Sequence, residues 1–307
     1  MTTVFIDGSA GTTGLRIADR LAQRQDITLQ KLPEALRKDP AARADAINGA
    51  DIAFLCLPDA AAIEAVSLVE SDHVKIIDTS TAHRTNDDWA YGFPELSGLR
   101  QKISDSHRIA NPGCHASGFI ALVAPLVEQG ILPADAMLTC FSLTGYSGGG
   151  KQMIAQYESP DRDPLLKGPR QYGLTQQHKH LKEMVKLCGL QNAPVFCPIV
   201  ADFYSGMEVT VSLFADQIQG SADTIRQLYA DYYKTGLVRY SDAPDTDGLL
   251  SAAAYSGRDD MQVSVQGNAD RILLVSRFDN LGKGASGAAI ENMNILLGID
   301  EATGLNV

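Results

Sequence analysis

The stretch Val4-Phe5-Ile6-Asp7-Gly8-Ser9-Ala10-Gly11-Thr12-Thr13-Gly14 decides how the rest of the chain is read. An apolar run of strand length enters a glycine turn spaced GxxGxxG. Apolar residues then recur at Leu15, Ile17, Ala18, Leu21 and Ala22, a helical spacing over residues 13–23. Glycines between a strand and a helix let backbone N–H groups approach a pyrophosphate at the positive end of the helix. A turn that merely joins the two elements is the competing reading. The strand before and the helix after supply the context that dinucleotide binding requires.

Outward from this turn the pattern repeats. Strands are expected at 27–32, 52–57, 74–78 and 108–110, and helices at 41–48 and 60–69. Alternating βα units imply a parallel sheet covered by helices. Beyond about residue 135 longer strands dominate, at 137–143, 195–200, 208–214, 261–266 and 272–279. Helices are expected at 176–187 and 222–233 among them, and a last one at 285–297. The fold class is therefore α/β: a Rossmann-like parallel-sheet domain over 1–113 plus about 282–307, and an α+β domain with a mixed or antiparallel sheet over 114–281.

The second strand ends without the acidic residue that usually holds an NAD ribose. Lys31, Arg37 and Lys38 follow instead, and cations suit the 2′-phosphate of NADP, although Glu34 lies among them. A solvated surface would also account for three cations. The 307 residues carry a net charge of −11, with 45% hydrophobic and 21% charged residues. That composition is globular. It offers no basic stripe for nucleic acid and no apolar run of the ~18–20 residues a membrane span needs. The opening residues lack a signal-peptide pattern, so a soluble, unprocessed chain is expected. Five cysteines without CxxC spacing fit a reducing cytoplasm and argue against a zinc site; no metal is expected.

Asn111-Pro112-Gly113-Cys114-His115 is the sharpest chemical signal. Pro and Gly force a turn, and residues 115–129 then present Phe119, Leu122, Val123, Leu126 and Val127 on one helical face. Pro125 is expected to kink that helix. Cys114 falls at the helix N-terminus, where backbone N–H groups favour a thiolate and hold an oxyanion. Lowering a thiol pKa from ~8.5 to ~6.5 takes about 2.7 kcal/mol, whereas a helix end supplies ~0.3–1 kcal/mol. An imidazolium would provide the remainder. Two candidates lie at His178 and His180; on a helix they would face different ways, in an extended turn the same way. His115 is expected to point away from the cysteine, and His73, His83 and His107 to lie at the surface or at strand ends. The other four cysteines read as inert.

With these residues in place, the chain resembles the shorter subtype of the N-acetyl-γ-glutamyl-phosphate reductase family, in the semialdehyde dehydrogenase superfamily. The likeness rests on GSAGTTG (8–14), CLPDAA (56–61), DTSTAHR (78–84), YGFPEL (91–96), NPGCHASG (111–118), SLTGYSGGGK (142–151), YGLTQQHKH (172–180) and FDNLGKGASGAAIENMNILLG (278–298). Longer members carry HRH before PEI; here HKH precedes LKEM, which keeps both His178 and His180 in play.

The resemblance implies an NADPH-dependent reductase of arginine biosynthesis that acts on an acyl phosphate. Cys114 would form a thioester, and His180 or His178 would act as acid–base. Gly8, Ser9, Gly11, Thr12, Thr13 and Gly14 would cradle the pyrophosphate. Leu57 and Pro58 would lie beside the cofactor at a strand end, with Ser80 and Asn280 on the nicotinamide side. Arg84, Ser147 and Gly148 are the candidates for substrate binding, Arg84 because its fork grips anions. A homodimer or homotetramer that acts on a small molecule, with neither nucleic acid nor membrane as partner, is expected. Two alternatives remain: a reductase of another acyl phosphate such as aspartyl phosphate, and an NADP-sensing protein without catalysis.

Overall fold

The computed structural model describes residues 1–307. The chain divides into two compact units, Met1–Pro112 with Ala285–Leu305, and Gly113–Gly284 with Asn306–Val307.

The first unit opens β1 (Thr2–Asp7), α1 (Thr12–Leu21), β2 (Ile27–Gln30), α2 (Pro40–Asn48), β3 (Ile52–Leu55), α3 (Asp59–Ser67) and β4 (Lys75–Asp78). It continues with β5 (Ala90–Tyr91), α4 (Leu99–Asp105) and β6 (Arg108–Ala110). Every pairing in its sheet is parallel, in the order β2-β1-β3-β4-β6-β5. Both faces are covered, which is why β3 is apolar at all four positions. Val4, Ile6 and Phe54 pack on one side with Ile17 and Leu21 of α1; Phe5, Ala53 and Leu55 pack on the other with Ile47 and Ala65. The carboxyl ends of β1, β3 and β4 carry the glycine turn, Leu57-Pro58 and Ser80.

One expectation changes here, and one element is new. His83 is buried rather than superficial: its Nδ1 lies 2.7 Å from Asp78 Oδ2 and its ring stacks on Trp89 at 4.0 Å. The two-residue strand β5 pairs with β6 and has no local periodicity that would announce it.

The second unit contains α5 (Cys114–Glu128), β7 (Thr139–Gly145), α6 (Gly150–Glu158), β8 (Arg170–Gln171), α7 (His180–Cys188), β9 (Val195–Ala201) and β10 (Met207–Phe214). Then come α8 (Ala222–Tyr232), β11 (Val238–Tyr240), β12 (Met261–Gly267) and β13 (Arg271–Phe278). The sheet is mixed, in the order β11-β12-β13-β10-β7-β9-β8. Helix α5 lies against β10 and β13 because Gly118 lacks a side chain: a Cβ there would meet Val209 Cγ2 at 2.5 Å and Ser276 Oγ at 2.8 Å.

Helix α5 runs through Pro125 to Glu128. Pro125 cannot donate to the carbonyl of Ala121, and the Tyr233 hydroxyl donates to it instead, at 2.6 Å. The helix expected from residue 176 begins only at His180, because Gly173 (φ 64°) and Gln176 (φ 56°) hold the preceding segment in left-handed backbone. The last helix, α9 (Gly287–Leu296), belongs to the first unit, where Ala289, Ile290 and Met293 join the cluster of Val4 and Ile17.

Candidate active site

The first unit offers a cradle for a dinucleotide. Its cavity of about 430 Å³ is lined by Gly8, Ser9 and Gly11, by Leu57 and Pro58, and by Lys31, Arg37 and Lys38. The turn and the cations, some twenty residues apart in sequence, thus face one space. The glycines do different work. Gly8 has φ 84°, and a Cβ there would run into the Cys56 carbonyl; a Cβ on Gly14 would meet the Gly8 carbonyl at 2.6 Å. Gly11 has an ordinary φ of −73°, and its nearest obstacle would stand at 3.4 Å. The fold demands Gly8 and Gly14, whereas Gly11 is compatible with a side chain unless a ligand occupies the space. Helix α1 begins at Thr12 with no acidic residue in its first turn, so the N–H groups of Thr12, Thr13 and Gly14 form a positive end. These features fit a pyrophosphate-bearing cofactor. Cys56, which also lines the cavity, has its thiol pushed up to about 12 by burial and stays protonated.

Other residues singled out from the sequence are already engaged in the first unit. The Ser80 hydroxyl donates to Asp78 Oδ2 (2.7 Å). Arg84 is buried; its Nε donates to the Asn111 carbonyl (2.8 Å) and its Nη2 to that of Thr79 (3.0 Å). Its fork braces the backbone around the 79–84 turn.

In the second unit Cys114 is the first residue of α5, behind Gly113 in extended backbone. No side chain caps the helix there. The Gly113 N–H donates to Glu183 Oε2 (3.2 Å), and Glu183 Oε1 stands 3.8 Å from His180 Nε2, one helical turn away on α7. Glu183 is buried, so one carboxylate links the head of the cysteine helix to a histidine. Gly284 lets the chain pass close by: a Cβ there would meet Cys114 Cβ at 2.9 Å.

Three imidazoles converge. The His178 and His180 rings lie 4.7 Å apart, and His115 lies 5.8 Å from the first and 5.6 Å from the second. His115 is buried, with its Nδ1 at Ser142 Oγ and its Nε2 at the Tyr172 hydroxyl, each at 2.6 Å. Burial, and then His178, push its pKa down to about 3, so it is neutral. His178 is also lowered, by burial and by Lys179, and its Nδ1 accepts the His180 N–H at 3.2 Å. The Tyr172 hydroxyl is held protonated by burial and by the nearness of Cys114.

Ser147, Gly148 and Asn280 also come together. Asn280 Nδ2 donates to Ser147 Oγ (3.1 Å), its Oδ1 accepts the Gly206 N–H (2.9 Å), and a Cβ on Gly148 would lie 3.5 Å from that amide. Glu183 and Tyr172 escaped the reading of the sequence. The only signal for Glu183 was its i+3 spacing from His180 on a helix. Tyr172 gave none, since its place depends on the pairing of β8 with β9.

Family models match both units: "Semialdehyde dehydrogenase, NAD binding domain" over residues 4–106 and "Semialdehyde dehydrogenase, dimerisation domain" over 114–280. A relative from Nostoc sp. named N-acetyl-gamma-glutamyl-phosphate reductase 2 is 46% identical, across 98% of each chain. One from Brucella ovis named N-acetyl-gamma-glutamyl-phosphate reductase is 45% identical, across 96% of this chain and 98% of its own. Among solved structures, aspartate semialdehyde dehydrogenase II from Vibrio cholerae, complexed with ASA, superposes with a TM-score of 0.71 at 15% identity, covering 97% of this chain and 98% of that one. The Candida albicans aspartate semialdehyde dehydrogenase with NADP gives 0.68 at 15%, with the same coverage. At that identity the structures show a shared fold.

Proposed function

The chain belongs to the N-acetyl-γ-glutamyl-phosphate reductases of the semialdehyde dehydrogenase family, and from that premise we propose that it reduces N-acetyl-γ-glutamyl phosphate to N-acetylglutamate semialdehyde and phosphate, in arginine biosynthesis, through a thioester on Cys114. The observation that carries this reading is the junction of Cys114, at the head of α5, with His180 and Glu183 on α7.

Cys114 attacks the acyl carbon as a thiolate, and the phosphate leaves. The N–H groups at the start of α5 face the developing oxyanion. A reduced nicotinamide dinucleotide, which the glycine turn would hold, would supply the hydride that the thioester carbonyl carbon needs. His180 protonates the oxyanion and then takes the proton back as the thiohemiacetal collapses and the thiolate returns. His180 suits this role better than His178, because the Nδ1 of His178 is occupied by a backbone donor and burial lowers its pKa, whereas His180 faces the Glu183 carboxylate. Ser147 and Gly148 face the substrate, and Asn280, which donates to Ser147 Oγ, faces the nicotinamide.

NADP is the preferred coenzyme. Lys31, Arg37 and Lys38 line the cavity together, and the exposed Glu34–Arg37 pair (2.9 Å) is too weakly bound to withhold Arg37 from a phosphate. The protein works as a homodimer or higher homo-oligomer in the cytoplasm. Its self-association uses the outer face of the second unit's sheet, where Phe141, Val195 and Leu273 stand exposed.

The deciding assay is phosphate-dependent reduction of NADP⁺ with N-acetylglutamate semialdehyde, run beside aspartate semialdehyde. Activity with the acetylated substrate alone, abolished in Cys114→Ser with NADP binding intact, is the expected result. Full activity in Cys114→Ser would remove the covalent route.

A further inference from the structure

Between β8 and α7 the chain has to deliver His178 and His180 to the cysteine helix, and it does so by an unusual contact. Strand β8 covers the edge of β9 only at Ile199 and Val200. The Tyr172 N–H still donates to the Pro198 carbonyl (3.0 Å), and then Gly173 turns the chain away. Nearer the start of β9, Phe196 has no β8 residue beside it. There the side chain of Gln176 takes over: its Oε1 accepts the Phe196 N–H (2.8 Å) and its Nε2 donates to the Phe196 carbonyl (2.7 Å). The primary amide thus reproduces both bonds of a neighbouring strand.

The backbone of Gln176 sits at φ 56°, a left-handed conformation that a glutamine adopts at a cost unless its surroundings hold it there. Here a turn bond from its own N–H to the Gly173 carbonyl (3.0 Å) and the amide pair on Phe196 hold it. Phe196, the residue gripped, has its ring edge-on to His178 (5.1 Å) and to His115 (5.4 Å). Two residues after Gln176, His178 Nδ1 accepts the N–H of His180 and so fixes where α7 starts.

We propose that Gln176 is a positioning residue for the acid–base histidine: its side-chain amide substitutes for the missing strand beside Phe196 and sets the backbone from which His178 and His180 project. This rests on the assignment of His180 as the acid–base. Gln176 exchanges no proton and touches no reacting atom.

The test uses the full-length protein and the variants Gln176→Gly, Gln176→Ala and His180→Asn, with kcat expressed per alkylatable Cys114 so that misfolded material does not count. Gly accepts the left-handed backbone but has no amide; Ala has neither. Both are expected to lose about tenfold or more in kcat, since small misplacements of catalytic groups carry penalties of up to about 100-fold. KM for the acyl phosphate and Kd for NADPH should stay within about twofold, since neither site loses a contact. A merely structural role would lower Tm and the alkylatable fraction while leaving kcat per cysteine unchanged. Wild-type kcat in both variants, or full activity in Gln176→Gly with loss in Gln176→Ala, would overturn the proposal; the second result would mean that only the backbone conformation matters. His180→Asn separates the levels: if it keeps wild-type activity the acid–base assignment fails, whereas its inactivity alongside active Gln176 variants defeats the positioning role alone.

Discussion

Gly8 and Gly11 stand three residues apart in one turn, and an alanine at each should separate folding from binding. At Gly8 the methyl group would meet the Cys56 carbonyl on a backbone of φ 84°. The strain predicts a loss of about 1–3 kcal/mol in stability, visible in thermal melts. At Gly11 the added Cβ finds its nearest neighbour at 3.4 Å, so stability should change by less than about 0.5 kcal/mol. Affinity for NADPH, followed by fluorescence titration, should nevertheless drop severalfold, because the methyl group would enter the space proposed for the pyrophosphate. Undiminished binding in Gly11→Ala would place the dinucleotide elsewhere. His115 makes a second prediction at this scale. Its pKa of about 3 lies below the ordinary 6.5 of the unfolded chain. Between those values the unfolded state binds the extra proton, so stability is intact above about pH 6.5 and is lost as pH falls, by up to about 1.4 kcal/mol per unit. Denaturant melts between pH 6.5 and 4 should show this slope in the wild type and a shallower one in His115→Asn. Parallel slopes would show that the imidazole is not kept neutral by the fold.

Helices α5 and α7 meet through Glu183, and the contact carries a test of its own. Glu183→Gln keeps the shape and an acceptor for the Gly113 N–H but removes the charge beside His180. A fall in kcat of about tenfold or more with little change in Tm is expected, as general acid–base catalysis contributes roughly 10²–10⁴-fold. If kcat is retained, the carboxylate only anchors α5. Elements also mark what a sequence discloses. Strand β3 and helix α5 were legible because both are buried nearly all round, which imposes an apolar run of strand length on one and of helix length on the other. The place of Cys114 at a helix start was legible because Pro112-Gly113 breaks the chain just before that apolar run begins. The start of α7 was not, because a left-handed glutamine stabilised by a strand twenty residues further on has no local signature. The partners of His115 were not legible, because Ser142 of β7 at one nitrogen and Tyr172 at the other are distant in sequence and leave no local signature.

Over the molecule as a whole, two opposing forces should govern self-association. The outer face of the second sheet alternates out of the core: Thr139, Phe141 and Leu143 on β7 lie beside Val195, Cys197 and Ile199 on β9. Phe141 is 48% exposed, Val195 52% and Leu273 39%. Seven strands at about 4.8 Å spacing make a platform some 29 Å wide, ample for the ~800 Å² per partner of a standard interface. Against this, each copy carries a net charge of −11, and like-charged protomers repel. Apolar attraction is little affected by moderate salt, while the repulsion is screened as the Debye length falls from ~10 Å at 0.1 M towards ~3 Å at 1 M. The dimer should therefore tighten as sodium chloride is raised, measured as Kd by sedimentation or light scattering on dilution. Phe141→Asp, which puts a charge at the centre of the face, should give monomers at concentrations where the wild type is dimeric. Dissociation on adding salt would mean that ion pairs hold the copies together, and a dimeric Phe141→Asp would move the interface off this sheet.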